Sequence, residues 1–265
     1  RVTGGNASRI DGRLKSDIGH TGFFLINPSG VVFGPEAQVD VPGSFHVSTA
    51  DRVNFPDGYY SATDTAGSRL SIATPESFGF LTQQPAADIR VEGSQLELRA
   101  EQTLSMVGGH VTTSVDWNSF SLARVSSEGG TIRMVAVGEA DAANRVLLHD
   151  GSSDLPPRGR VEVSWGSSID VSGVAGSESM LLRGGEVEVS LSTLARCMSE
   201  TAIRPAPSIS MPMTSASGTA GSTRTPGAMD EAIASSCKPT ISYASRIPPS
   251  RPTTMGLVPF VPTCN

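Results

Sequence analysis

Four histidines, His20, His46, His110 and His149, are the side chains best suited to move a proton near neutral pH. Only His46 has chemically useful neighbours close in sequence, with Ser44, Ser48 and Asp51 offering a hydroxyl and a carboxylate to an imidazole. In an extended strand, however, Ser44, His46 and Ser48 fall on one face, where they are expected as ordinary solvated neighbours. No HExxH, GxSxG or paired CxxC motif is present. Asp11, Asp17, Asp40, Asp51, Asp57 and Asp64 are scattered over turn-like and polar positions. Sugar cleavage on stacked strands needs two carboxylates on one face of adjacent layers. Asp154 and Asp170 have no acid two residues away, and Glu186 and Glu188 read as the wet side of an alternating strand. The repeated Gly-Gly-x-Gly-x-Asp pattern of calcium-binding turns is absent. Cys197, Cys237 and Cys264 match no zinc spacing. The sequence therefore predicts no catalytic, cofactor-binding or metal-binding residue.

The elements that would carry these side chains are short strands between Gly- and Pro-rich turns. The clearest block runs from residue 22 to 51. Phe23, Phe24, Leu25 and Ile26 make an apolar strand-like run. Asn27-Pro28-Ser29-Gly30 breaks it: Pro28 presets the second turn position, Asn27 can bond its own backbone two residues on, and Gly30 suits the exit. Val31, Val32 and Phe33 form the next strand, Gly34-Pro35 the next break, and Val39 and Val41 alternate with polar residues. Phe45, Val47 and Thr49 continue the alternation. Val53-Asn54-Phe55 leads into the turn Pro56-Asp57-Gly58, and Tyr59, Ser61 with Leu70, Ile72 are expected as a strand pair.

From Ile89 onward the signal repeats loosely, through Ile89/Val91, Leu96/Leu98, Leu104/Met106 and Val111. Units then open at Gly130, Gly159 and Gly185, spaced by 29 and 26 residues. Each unit is too short to bury its own apolar face, so stacking into a solenoid would build the core; by spacing alone a sandwich stays open. Gly 28, Pro 18 and only 5% aromatics suit an all-β chain. A net charge of −6 and a pI near 5.2 argue against a nucleic-acid groove. Long apolar runs that would span a membrane as a helix are missing from the sequence.

Arg1–Gly5 (RVTGG), Ile10–Gly12 (IDG), Phe24–Pro35 (FLINPSGVVFGP) and Gly43–Asp51 (GSFHVSTAD) recur here in one order. Together they closely resemble the two-partner secretion domain of filamentous haemagglutinin-like exoproteins, the haemagglutination activity domain, over Arg1–Leu194. The family usually has Asn where Ser29 stands, and either residue fits the turn. The resemblance implies a right-handed parallel β-helix with a small extra hairpin or sheet. It also implies export through the periplasm to the surface of a Gram-negative-type bacterium. The partner would be an outer-membrane β-barrel transporter whose periplasmic domains bind the chain. Candidate secretion residues are then the turn Asn27, Pro28, Ser29 and Gly30, with the flanking strands Phe24, Leu25, Ile26, Val31, Val32, Phe33, Gly34 and Pro35. Downstream repeats would carry contact with a host or neighbouring cell. The chain opens at Arg1 inside a motif and is read as a piece whose start, a signal peptide included, lies upstream. The sequon Asn6-Ala7-Ser8 is read as incidental in such a chain.

Beyond Leu194 the text changes. All three cysteines, ten of 18 prolines and five of eight methionines lie there, with only four glycines. Residues 191–265 hold six Lys/Arg against three acids, reversing the sign of the whole chain. Such a segment cannot bury enough apolar area to offset its chain entropy, so 195–265 is read as an irregular tail. Two origins are open: a natural linker, or, favoured by the Arg-over-Lys bias, an out-of-frame reading that starts near Val189–Leu194. The absence of Cys from 1–190 suits an exported chain that must stay unfolded in the periplasm. The leading reading is a non-enzymatic secretion-directing domain of an adhesin. A carbohydrate-active β-helix enzyme and a truncated, non-functional product are the alternatives.

Overall fold

The computed structural model describes residues 5–19, 21–64, 66–69, 71–81, 85–139, 143–164, 166–173, 178–190 and 192–195. His20, Leu70 and residues 196–265, with all three cysteines, lie outside these. The chain makes repeated passages of three short strands. The first passage holds β1 (Ser8–Ile10), β2 (Arg13–Lys15) and β3 (Phe23–Ile26). The second holds β4 (Val31–Phe33), β5 (Gln38–Asp40) and β6 (Phe45–Ser48). An excursion follows, with β7 (Arg52–Phe55), β8 (Gly58–Ser61) and β9 (Ser77–Phe80). The third passage is β10 (Ile89–Glu92), β11 (Gln95–Leu98) and β12 (Thr103–Gly108), and the fourth β13 (Val111–Ser114), β14 (Arg124–Ser127) and β15 (Thr131–Ala136). A second excursion carries β16 (Asn144–Leu147). The chain then returns as β17 (Arg160–Ser164), β18 (Ser168–Asp170) and β19 (Ser179–Arg183), and finally β20 (Glu186–Ser190) and β21 (Thr193–Ala195).

Strands of successive passages pair in parallel. The first sheet runs β1-β4-β10-β13-β17-β20 and the third β19-β15-β12-β6-β3. The second is made of β2-β5 and β11-β14-β18-β21, with β5 lying against β11. Because every pair is in register, like residues stack across passages. Phe33, Val91, Thr113, Val163 and Val189 form one row, and Phe23, Phe45, Leu104, Ile132 and Met180 another. Leu96, Val125, Ile169 and Leu194 line the second sheet. These inward rows make one continuous core. Each fully buried Val, Leu, Ile or Phe contributes about 2 kcal/mol, which no single passage could supply alone.

The corners joining the third sheet to the first are tight. A Cβ on Gly109 would run into the Ala86 carbonyl. Gly109 N–H donates to Ala87 O at 2.8 Å, and Gly138 N–H to Gly109 O at 2.9 Å. Only a residue without a side chain allows corners to stack this closely.

Both excursions leave from this corner and meet. β16, β9, β7 and β8 form an antiparallel sheet that covers the outer face of the third sheet. A second core of Ala50, Val53, Phe78, Phe80, Val107, Val135, Val137 and Val146 lies between them.

Three expectations are corrected. β8 pairs with β7, and Ile72, expected as part of its partner, is fully exposed outside any strand, while Leu70 lies outside the described residues. The openings at Gly130 and Gly159 are not equivalent: the first leads into the third sheet, the second into the first, because the second excursion separates them. Gly159 and Gly185 are equivalent, since Arg160 pairs with Glu186. Finally, Ser44, His46 and Ser48 do not share a solvated face. Ser48 is fully buried and His46 is half-buried beneath the extra sheet. Val189 lies in β20 and Leu194 in β21, both stacked on the passage before.

Candidate functional site

Asn27-Pro28-Ser29-Gly30 forms the first corner between the third and first sheets. The Gly30 N–H donates to Asn27 O at 3.0 Å, and the Ser29 N–H to Asn27 Oδ1 at 3.0 Å. That is the local turn expected of Asn followed by Pro. Gly30 has φ +111°, a conformation open to glycine. The side-chain amide of Asn27 does more than close the turn. Nδ2 donates to Asn6 O at 3.0 Å and to Ser8 Oγ at 2.9 Å, so it ties the first passage to the second. Asn27 is 1% exposed, and Pro28 and Ser29 are half-buried. Further backbone bonds lock the corner from both sides: Ser8 N–H to Gly30 O and Val31 N–H to Asp88 O.

The flanking strands are part of the stack. Leu25 lies in the inward row with Val47 and Met106, and Val31 and Phe33 are fully buried. Val32 faces out between Arg9 and Arg90 and is still 7% exposed only. Phe24 and Ile26 point outward into the second core, with the Phe24 ring stacked on His46 at 4.5 Å. Gly34-Pro35 turns the chain toward the second sheet; Gly34 N–H donates to Ile10 O, and Gly34 O accepts from Ser94 Oγ. An open groove of about 470 Å³ runs beside the corner, lined by Ser29, Gly30, Asp88, Arg90, His110 and Glu139 among others.

The residues that first suggested chemistry do not converge. Ser48 Oγ donates to Val107 O, and Asp51 Oδ2 accepts the Leu81 N–H, so neither serves His46. His46 Nδ1 is sealed from water with no hydrogen-bond partner. Burial, with the Arg133 guanidinium adding to it, pushes its pKa down to about 4, so the imidazole is neutral. His110 Nδ1 accepts the Arg160 backbone N–H, and the His110 backbone N–H donates to Asp88 Oδ1. His149 sits on the surface beside Asp150. Glu186 and Glu188 flank Arg160, and Asp154 pairs with Arg145. The Arg13 hydrogen bond, helped by Arg99, holds Asp40 below the usual carboxylate range and clasps three passages together. Among the described residues no group of three or more His, Cys, Asp and Glu could hold a metal ion. No helix among them is long and apolar enough to cross a membrane.

Sequence reasoning found the turn but missed its long-range amide bonds, because Asn6 and Ser8 carry no signal of their own. It also missed the clasp at Asp40, whose partners lie in other passages.

No curated protein and no solved structure matches this chain. The family model of the TPS secretion domain matches residues 1–164, which span every corner and strand of the Asn27 site. The chain therefore belongs to the TPS secretion domain family, the domain of two-partner secretion exoproteins.

Proposed function

We propose that residues 1–194 are the secretion-directing domain of a filamentous haemagglutinin-like adhesin, folded as a right-handed parallel β-helix. The family is a non-enzymatic one. In this reading the periplasmic domains of the transporter bind the chain while it is extended. The Asn27–Gly30 turn and its strands, Phe24–Ile26 and Val31–Pro35, are the part they recognise. Outside the cell, each passage buries its inward row on the one before, so stacking draws the chain outward. The product then sits at the surface of a Gram-negative-type bacterium, and repeats beyond the stack contact a host or neighbouring cell.

The observation that carries this reading is the family match over the stretch in which Asn27 joins the first two passages. The test is co-expression with a transporter of the two-partner type, measuring chain in the medium against chain in the periplasm. Loss of Phe24–Pro35 should abolish export. Export of that deletion at the parent level would refute the reading.

A further inference from the structure

Among the described residues the two cores lie on opposite faces of the third sheet. Leu104, Met106, Ile132 and Met134 face the first core, while Val107 and Val135, on the same strands, face the second. Among the described residues no buried side chain belongs to both. The second core is roofed partly by residues 143–158, which leave the stack and return to it at one point. There the stem is zipped, with Arg158 N–H donating to Val137 O at 3.0 Å and Gly159 N–H to Ala136 O at 3.2 Å.

Within this segment the chain folds on itself. Leu147 N–H donates to Ser152 O, Asp154 N–H to Arg145 O, and Leu155 N–H to Asn144 Oδ1. Among the described residues it is attached to the rest of the molecule at separate points. β16 pairs with β9, and Val146 enters the second core. Leu148 N–H donates to Glu76 O. Two arginines on the outer face of the third sheet hold its turn by backbone carbonyls: Arg133 Nη1 to Leu148 O at 3.0 Å and Arg183 Nη1 to Gly151 O at 2.9 Å.

We propose that residues 143–158 form a strap that opens as a unit, baring the apolar strip Phe78, Phe80, Val107 and Val135 while the three-sheet stack stays intact. Opening breaks the β16–β9 pairing, the Leu148 N–H bond to Glu76 O and the two arginine contacts and lifts Val146 out of the second core, while it leaves the stem and every inward row untouched. Closing is also the last step for the extra sheet, since β16 follows its partner β9 only after two complete passages have been laid down. The strap thus makes the extra sheet report that the chain has stacked as far as Arg183. This goes beyond the export reading; the opening of the strap does not depend on it, and only the order of closing rests on its passage-by-passage stacking.

Hydrogen exchange read by mass spectrometry on the full chain tests the strap. Val146→Asp puts a carboxylate into the second core, and Arg183→Gln removes one clamp. With Val146→Asp, amides of 144–148 and 77–80 should exchange at least about tenfold faster, while those of β10, β13 and β17 stay within about twofold. Arg183→Gln should give a smaller rise, about threefold, in the same segments. Equal acceleration in all strands would overturn the proposal, because stack and strap would then open as one unit. Unchanged protection of 144–148 in both variants would overturn it too. So would failure of Val146→Asp to fold, which would make the stack dependent on the strap.

Discussion

Replacing Asn27 by alanine tests whether the turn acts locally or as a tie between passages. The side chain is 1% exposed and makes three hydrogen bonds: two donated, to Asn6 O and Ser8 Oγ, and one accepted from Ser29 N–H. A net hydrogen bond is worth about 1 kcal/mol, and a buried partner left unpaired costs more. Asn6 is exposed, so its carbonyl can regain water and that loss is small. The expected destabilisation for Asn27→Ala is therefore about 2 kcal/mol. With a urea slope of about 2 to 3 kcal/mol per molar, the unfolding midpoint should fall by roughly 0.8 M. Asn27→Asp discriminates the two roles. The carboxylate can still accept the Ser29 N–H and close the turn, but it cannot donate to Asn6 O and instead faces that oxygen with negative charge. If the tie matters, Asp should be about as destabilising as Ala. Equilibrium unfolding followed by circular dichroism gives both values. An Asp variant within about 0.5 kcal/mol of the parent, beside a damaged Ala variant, would show that local turn closure is the whole effect. An Ala variant that unfolds at the parent midpoint would refute the reasoning altogether.

Other outcomes follow from the same geometry. The neutral, buried His46 has a folded pKa near 4, below the usual value of 6.5. Its contribution is therefore fully present above about pH 6.5 and is lost as pH falls toward 4, by up to about 3 kcal/mol. His46→Phe should flatten the stability profile between those pH values, and an unchanged slope would refute the assignment. Gly109→Ala should cost more than about 2 kcal/mol, since its Cβ meets the Ala86 carbonyl, which is backbone and cannot swing away. Thermal unfolding reads that loss, and a parent-like midpoint would contradict the close-packed corner. Thr113 is fully buried in a row of Phe and Val, and its hydroxyl reaches Glu162 O only at 3.5 Å. Thr113→Val should be neutral or stabilising by up to about 1 kcal/mol in urea unfolding, and a loss above about 1 kcal/mol would show that the hydroxyl is needed.

Much of the strand pattern was legible locally. Alternation in Ile89–Val91, Leu96–Leu98 and Leu104–Met106 marks inward positions because side chains alternate across a strand whatever the strand pairs with. The Asn27–Gly30 turn was legible for the same reason, since its Pro, Asx and glycine preferences act within four residues. The candidate chemistry around His46 was legible only as a list of residue types. Nothing near Ser48 or Asp51 foretells that their side chains turn to Val107 O and Leu81 N–H.

The sequence by itself determined that this is a chain of short strands with tight Gly- and Pro-bearing corners, and it carried the family signal in its first block. The tertiary structure decided which strands are equivalent. Gly130 and Gly159 look alike in sequence yet enter different sheets, because an excursion of unpredictable length lies between them. It also decided that the Phe24–His46 face is covered. An outward face of a strand is wet or buried according to what packs on it, and here the cover comes from β9 and β16, whose pairing is set by contacts far apart in the chain.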